Sequence, residues 1–435
     1  MLSDSKLLLQ QARVLDPVSN TDRVADVLID NHQIAAIETH FETLPQETSI
    51  LDAQGSLLGS GLVDLYSQSG EPGHEERETL SSLVAAAAAG GFTRVTILPE
   101  MVPPADNPAV LASLRQKWQA LRANPSFLGE APAMTAIPQL QFWGALTLGV
   151  EGQQMAELGE LAAEVVGFAD GHPLEKMGLL RRLLEYVKPL GKPVALVPAN
   201  RQLRGSGVMR EGAASMRFGL PGDPAFSESA AIAALLELVA AIETPVHLMR
   251  VSTRRGVELI AEAKARGLPV TASTTWMHLL FDADALESYD PNLRLEPPLG
   301  NPADREALVE GVKQGAIDAI AVDHAPYTYE EKTLAFAEAP PGAIGLELAL
   351  PLLWQRFVET GEWSALTLWR ALSAGPQLCL HQEPKGFIPG QPAELVLFDP
   401  QKTWTVDKNT LKSHGTNTPW FEKELAGRVV RIWNG

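Results

Sequence analysis

Short apolar segments rich in β-branched residues alternate with segments of helical periodicity along most of the chain. Such alternation predicts parallel strands joined by helices. Eight repeats fit a (β/α)8 TIM-type barrel, whose usual length is roughly 250 residues. A doubly wound open sheet is the alternative, but no GxGxxG motif follows the first strand. The predicted strands are LVDLY (62–66), TRVTIL (93–98), FWGALT (142–147), VVGF (165–168), PVALV (193–197), VHLMR (246–250), PVTAS (269–273) and DAIAV (318–322).

Helical periodicity of 3.6 residues marks the segments between these strands. The clearest predicted helices cover 77–90, 107–122, 227–243, 254–265 and 304–315.

The two ends of the chain have a different pattern, in which short alternating strands are separated by turns. Residues 6–58 and 386–435 both read this way. We therefore predict a small composite β-sandwich, built from 1–58 and 386–435, beside a barrel that spans 59–385. The chain of 435 residues is longer than most domains with a single hydrophobic core, which agrees with a large domain and an accessory one.

Composition narrows the class of protein. A hydrophobic content of 45%, with 20% charged residues, is typical of a globular protein. The net charge of -18 and the lack of a Lys/Arg cluster argue against nucleic acid or an anionic membrane as partner.

Cys379 is the single cysteine, so no intramolecular disulfide can form. The first ten residues lack a secretory pattern, and LVAAAAAGGF is too short to span a bilayer. We expect a cytoplasmic protein.

Functional side chains in a parallel barrel lie where the strands end, on the C-terminal face. Polar and ionisable residues follow several of the predicted strands, whereas the fifth strand ends in the apolar Val197. The polar segments are DLYSQ (64–68), ADGHP (169–173), HLMRVST (247–253) and DHAPY (323–327).

Six further motifs, spread in order over nearly the whole chain, resemble those of dihydroorotases, which are cyclic amidohydrolases. The last motif favours dihydroorotases over hydantoinases and allantoinases. The motifs are EPGHEERET (71–79), AAAAGGFTRV (86–95), EPPLGNPADREAL (296–308), DHAPYTYEEK (323–332), APPGAIGLELALPLL (339–353) and SHGTNTPW (413–420).

The resemblance implies a reaction in which a zinc-bound hydroxide opens or closes a cyclic amide. The metal polarises the carbonyl and lowers the pKa of its water, and an aspartate moves the proton. The implied ligands are a His-x-His after strand one, a lysine or aspartate at strand four, histidines ending strands five and six, and an aspartate ending strand eight. The matching positions of this chain hold Tyr66, Gln68, Asp170, Val197, Arg250 and Asp323.

Four of these residues are unsuited to bind zinc. A valine has no donor atom, a guanidinium is permanently charged, and tyrosine and glutamine replace two histidines. We therefore predict that the chain binds no metal, and that Asp323 keeps a family position without its catalytic role.

The substrate-binding positions implied by the resemblance are replaced as well. Gly70 occupies the position of an arginine that holds the substrate carboxylate, and Glu100 occupies that of an asparagine. Loss of such an arginine removes a contact worth ~2–5 kcal/mol when buried. His324 and Tyr327 are the other residues expected beside the pocket.

Arg250 suggests what replaces the metal. If the sixth and eighth strands lie as in the family, its guanidinium enters the metal's volume and neutralises Asp323, and we extend this expectation to Asp170. Removing one member of such a buried pair costs about 3–5 kcal/mol.

Three functions follow from these residues. The first is a non-catalytic dihydroorotase homologue that forms a homo-oligomer and acts as structural or regulatory partner of aspartate transcarbamoylase in pyrimidine biosynthesis. The second is an active cyclic amidohydrolase with a rearranged metal site built from Asp323, Asp170 and His172. The third is a metabolite sensor whose pocket is lined by Tyr66, Glu100 and Arg250.

Overall fold

The computed structural model describes residues 6–124 and 136–434. Eight parallel strands follow one another around a barrel, in the order β15-β14-β13-β10-β9-β8-β7-β6, which confirms the predicted (β/α)8 architecture. These strands are β6 (Leu62–Ser67), β7 (Phe92–Ile97), β8 (Gln139–Gly144), β9 (Gly167–Ala169), β10 (Val194–Leu196), β13 (Val246–Leu248), β14 (Val270–Thr275) and β15 (Ala319–Ala321).

The third barrel strand begins and ends three residues earlier than the pattern predicts. Residues 145–147 are apolar or β-branched, but they leave the sheet because the amides of Leu146 and Thr147 bond to the Asp170 carboxylate at 2.8 and 3.0 Å. A side chain from the neighbouring strand end thus competes with the ladder.

The barrel closes through side-chain and loop contacts between β6 and β15. The Gln68 amide donates to the carbonyl of His324 at 2.8 Å. Asp64 accepts from the Val322 amide at 2.8 Å and from the Ser67 hydroxyl at 2.6 Å. Burial raises the pKa of Asp64 to about 7, against the effect of these donors. Asp64 therefore joins the first strand of the barrel to the last.

Helices cover the outside of the barrel, and the predicted long helices lie within three residues of their observed bounds. Side chains of Thr79, Asn107 and Thr253 cap three of them by accepting from amides of the first turn. The helices are α1 (Leu80–Ala89), α2 (Pro108–Ala123), α3 (Leu158–Leu161), α4 (Met177–Val187), α5 (Arg201–Arg204), α6 (Ala213–Phe218), α7 (Phe226–Ile242), α8 (Arg254–Ala265), α9 (Trp276–Leu280), α10 (Pro302–Gln314), α11 (Tyr329–Lys332), α12 (Ala349–Leu353), α13 (Ala365–Trp369) and α14 (Gly375–Cys379).

The two ends of the chain meet in a separate, mainly antiparallel sheet, as predicted. Its strands enclose an apolar cluster that includes Leu9, Val27, Leu58 and Leu397. The strands are β1 (Lys6–Asp16), β2 (Thr21–Asp30), β3 (Gln33–Glu38), β4 (Ser49–Asp52), β5 (Leu57–Ser60), β16 (Leu395–Thr405) and β17 (Glu424–Trp433), and a two-residue pair, β11 (Met209–Arg210) and β12 (Gly222–Asp223), lies in the loop after β10.

None of the helices formed by residues 6–124 and 136–434 combines the length and apolar character needed to cross a membrane.

Candidate functional site

Tyr66, the first position matching a family metal ligand, points into the barrel and is fully buried. Its hydroxyl lies 2.8 Å from the Ser273 hydroxyl and accepts a hydrogen bond from the Arg250 amide at 3.1 Å. Burial raises the pKa of this hydroxyl well above its usual value, so the phenol stays neutral. Tyr66 fills the barrel interior and leaves no anionic oxygen for a metal.

The hydrogen bonds of Tyr66 continue across the barrel. Ser273 lies 2.8 Å from Nε2 of His247, and Nδ1 of His247 lies 2.9 Å from the Thr271 hydroxyl. Burial lowers the pKa of His247 to about 3, so the ring is neutral. A chain of neutral polar groups therefore occupies the interior. Ser273 and Thr271 were missed from the sequence, although their alternation in VTASTT places them on one face of a strand.

Arg250 and Asp323 form the ion pair that the sequence predicts. Nε and Nη2 of Arg250 donate to the two carboxylate oxygens of Asp323 at 2.8 and 2.7 Å, in a bidentate arrangement. Nη1 donates to the carbonyl of Gly171 at 2.6 Å, and the guanidinium lies 5.3 Å from the centre of the Tyr66 ring. Arg250 follows β13, so its side chain joins the end of that strand to the ends of β9 and β15.

Both members of this pair have backbone angles in the left-handed region, with φ of 54°. Residues other than glycine rarely adopt this backbone conformation, and it is found where the surrounding structure imposes it. Burial by itself would lower the pKa of Arg250, but the adjoining Asp323 carboxylate raises it overall. The arginine therefore carries its full charge inside the barrel mouth.

Asp170 does not join the pair, so that part of the prediction is wrong. Its carboxylate accepts from the Leu146 and Thr147 amides and from the Thr147 hydroxyl, the last at 2.6 Å. Burial raises its pKa, and these donors partly offset that effect. Asp170 holds the loop after β8, and the nearby Gly171 carbonyl takes the guanidinium instead.

The remaining two ligand positions, Gln68 and Val197, line a cavity of about 220 Å³ at the C-terminal end of the barrel, beside Arg250. Taken together, the six positions do not fit a zinc ion: one carboxylate is held by an arginine, another by loop amides, and the rest offer a neutral phenol, an amide, a methyl surface and a cation. Within 6–124 and 136–434, no three His, Cys, Asp or Glu side chains are placed to hold a metal.

The four expected substrate-pocket residues divide into two groups. Glu100 and Tyr327 line the cavity, whereas Gly70 and His324 lie outside its lining. Glu100 is exposed as a residue, yet its carboxylate reaches to Gly171, where reduced hydration raises its pKa.

Gly70 has no room for a side chain. A Cβ atom there would lie 2.3 Å from the His74 carbonyl oxygen and 2.5 Å from that of Glu78. Both are backbone atoms, so a rotamer change cannot relieve the overlap. The position implied to carry a substrate-binding arginine is therefore closed to any larger residue in this chain.

His324 is buried, and both of its ring nitrogens take part in a hydrogen-bond cluster beside the cavity lining. Its Nδ1 accepts from the Gly345 amide at 3.1 Å, and Nε2 donates to Glu78 at 3.3 Å. Glu78 also accepts from the Ser413 hydroxyl at 2.5 Å and the His414 amide at 3.2 Å. Burial would raise the pKa of Glu78, but the hydrogen bonds from His324 and Ser413 lower it overall.

Asn417 makes a second link between the SHGTNTPW segment and the loop after β15. Its side chain donates to the Ala325 carbonyl at 2.9 Å and accepts from the Tyr327 amide at 3.1 Å. Glu78 and Asn417 were missed from the sequence, although both lie within quoted motifs. The motif segments 71–79, 323–332 and 413–420 therefore hold one another in place.

Replacing Arg250 with leucine should lower the free energy of unfolding by ~3 kcal/mol, because Asp323 is left without its partner. We place the loss at the lower end of the range for buried pairs, since the Asp323 side chain keeps 20% exposure. Urea unfolding at pH 7 measures the loss.

The matched control is Arg181→Leu, which removes an exposed pair with Glu185 and should change stability by no more than ~0.5 kcal/mol. The double variant Arg250→Leu/Asp323→Leu should recover part of the loss. Equal unfolding midpoints for Arg250→Leu and the parent would contradict the structural role of the pair.

Gly70→Ala should destabilise the chain by about 2 kcal/mol or more, because the added methyl overlaps two carbonyl oxygens. Gly178→Ala is the control: a Cβ there meets nothing within 4 Å, and the residue lies in α4. Alanine should stabilise that position by up to ~1 kcal/mol. Thermal melting of both variants checks the difference, and equal effects would count against the crowding at Gly70.

Comparison with known proteins agrees with the motifs. No family model matches the chain. A dihydroorotase-like protein of Synechocystis sp. is 48% identical over 436 residues, covering 97% of this chain and 98% of the relative. A dihydroorotase of Geobacter metallireducens is 36% identical over 426 residues, covering 98% of this chain and 97% of the relative.

Solved structures agree on the fold. An L-hydantoinase of Arthrobacter aurescens superposes with a TM-score of 0.80 at 20% identity, covering 99% of this chain and 96% of its own. A D-hydantoinase of Thermus sp. gives 0.77 at 21% identity, with 98% and 94% covered. With relatives of this identity over nearly their whole length, the chain belongs to the dihydroorotase-like family of the cyclic amidohydrolase superfamily.

Proposed function

We propose that this chain is a non-catalytic, cytoplasmic member of its family that serves as a structural or regulatory partner of aspartate transcarbamoylase in pyrimidine biosynthesis. The observation that carries the loss of catalysis is the bidentate pair of Arg250 and Asp323, which places a permanent cation where the family pattern places zinc.

The family reaction needs a metal-bound hydroxide and an aspartate that is free to move a proton. Asp323 has both carboxylate oxygens engaged by Arg250. The carboxylate-binding arginine has no counterpart at Gly70, and Glu100 would repel a substrate carboxylate. These features support a protein whose barrel is kept for its shape.

The scaffold role rests on family analogy together with one structural point. The motif segments join the barrel to the loop before β17 through Glu78 and Asn417. They therefore have a structural role that does not depend on a metal. A folded surface of the dihydroorotase shape is therefore preserved, and a homo-oligomer is the form in which we expect it to meet its partner.

Protein expressed with added zinc and purified without chelator should contain less than about a tenth of an equivalent of metal. It should also leave dihydroorotate unhydrolysed, because the donor set does not fit zinc. Elemental analysis and a hydrolysis assay measure the two quantities, with a zinc-loaded dihydroorotase purified in parallel as the control. One or two tightly held metals with turnover would favour the rearranged active site instead.

Mixed with aspartate transcarbamoylase of the same organism, the chain should elute as a larger assembly in size-exclusion chromatography with light scattering. The transcarbamoylase activity should change on mixing. An unrelated monomeric protein of similar net charge is the control for nonspecific association. Separate elution at micromolar concentrations, with unchanged activity, would contradict the partner role but leave the loss of catalysis untouched.

A further inference from the structure

The cavity at the barrel mouth keeps two charged groups that the fold does not use. Arg250 and Asp323 neutralise each other, and Glu296 is paired with Arg204. Among the charged side chains of the cavity lining, the Glu100 carboxylate and the Arg201 guanidinium have no ion pair or hydrogen bond with the described residues. The cavity therefore presents one carboxylate and one guanidinium without a direct partner, with the Arg250 cation close enough to Glu100 to favour its charged form.

Neutral polar groups beside these charges also lack partners within the described part of the chain. They are the side-chain amide of Gln68 and the hydroxyl of Tyr327, and both residues are in the cavity lining. Nε2 of His172 lies 2.5 Å from the Val150 carbonyl oxygen, while its Nδ1 is buried and has no hydrogen-bond partner. A buried polar atom without a partner, such as Nδ1 of His172, is uncommon in folded proteins and calls for an explanation.

A second cavity, of about 210 Å³, adjoins the first between α4, α5 and α7. Val197 and Arg201 line both cavities, so these two residues lie where the cavities meet. Most residues of the second lining are apolar, among them Leu174, Met177, Leu180, Leu196 and Leu235.

We propose that the two cavities together bind a free α-amino acid with an apolar side chain. The carboxylate pairs with Arg201, the ammonium group pairs with Glu100, and the side chain enters the apolar cavity. A zwitterion matches two groups of opposite charge that have no ion-pair partner, whereas a dicarboxylate would face Glu100. An apolar pocket with a few placed polar groups is the usual form of a small-molecule site.

This site overlaps the positions implied by the family only in part: Glu100 occupies that of the substrate-binding asparagine, whereas Arg201 matches none of them and the second cavity adds to the site. The inference is also independent of the scaffold role. Ligand binding is read by calorimetry on the isolated chain, whereas the scaffold role is read by co-elution with the transcarbamoylase, so either can fail alone.

Isothermal titration of the full chain with L-leucine is the direct experiment, compared with three probes that each lack one feature. These are 4-methylpentanoate, which has no ammonium group, 3-methylbutylamine, which has no carboxylate, and L-alanine, which has no large side chain. Leucine should bind at least about tenfold more tightly than each probe, since every probe leaves either one charged group unpaired or the apolar cavity empty.

Glu100→Gln and Arg201→Gln should each weaken leucine binding by about tenfold or more, because each removes one charged partner. Neither side chain makes an ion pair or hydrogen bond with the described residues, so the variants should keep the parent's melting temperature. Glu306→Gln and Arg266→Gln, exposed on the outer helices, are the matched controls and should leave affinity unchanged. Absence of leucine binding at millimolar concentration, or an affinity in both pocket variants equal to that of the parent, would overturn the proposal.

Discussion

The ion pair of Arg250 and Asp323 is the constraint on which the arrangement of the barrel mouth depends. The Arg250 guanidinium joins the end of β13 to the end of β15 through Asp323, and to the end of β9 through the Gly171 carbonyl. Taking two charges out of water costs several kcal/mol, and good geometry with further hydrogen bonds is needed to offset this. The bidentate contact, the carbonyl acceptor and the Tyr66 ring supply those interactions.

The interior below the pair is built from neutral polar groups. Tyr66, at one of the positions matching a family metal ligand, joins Ser273 and His247 in a chain of hydrogen bonds. Neutral groups are easier to bury than charged ones, provided that their hydrogen bonds are made. The same logic explains Asp170, whose charge is compensated by loop amides rather than by an ion.

Several of the family motifs have a structural role in this molecule that does not depend on catalysis. Glu78 and Asn417, both within motifs that carry the resemblance, join distant segments through buried hydrogen bonds, and Gly70 is required by backbone crowding. Such interactions preserve a fold whether or not a reaction takes place in it. The charges left free at the mouth, on Glu100 and Arg201, are the feature that points to a ligand rather than to stability.

The sequence alone determined the alternation of strands and helices, and which residue types end the strands. Because valine has no donor atom and arginine is always charged, the unsuitability for zinc could be predicted without coordinates. The pairing of Arg250 with Asp323 was also expected from the sequence, but only the tertiary structure decided where the other groups of the site lie. Asp170 turned to the loop after β8, Gly70 proved closed, and His324 was buried beside the cavity lining. Strand register and barrel closure set these distances, and spacing along the chain does not encode them.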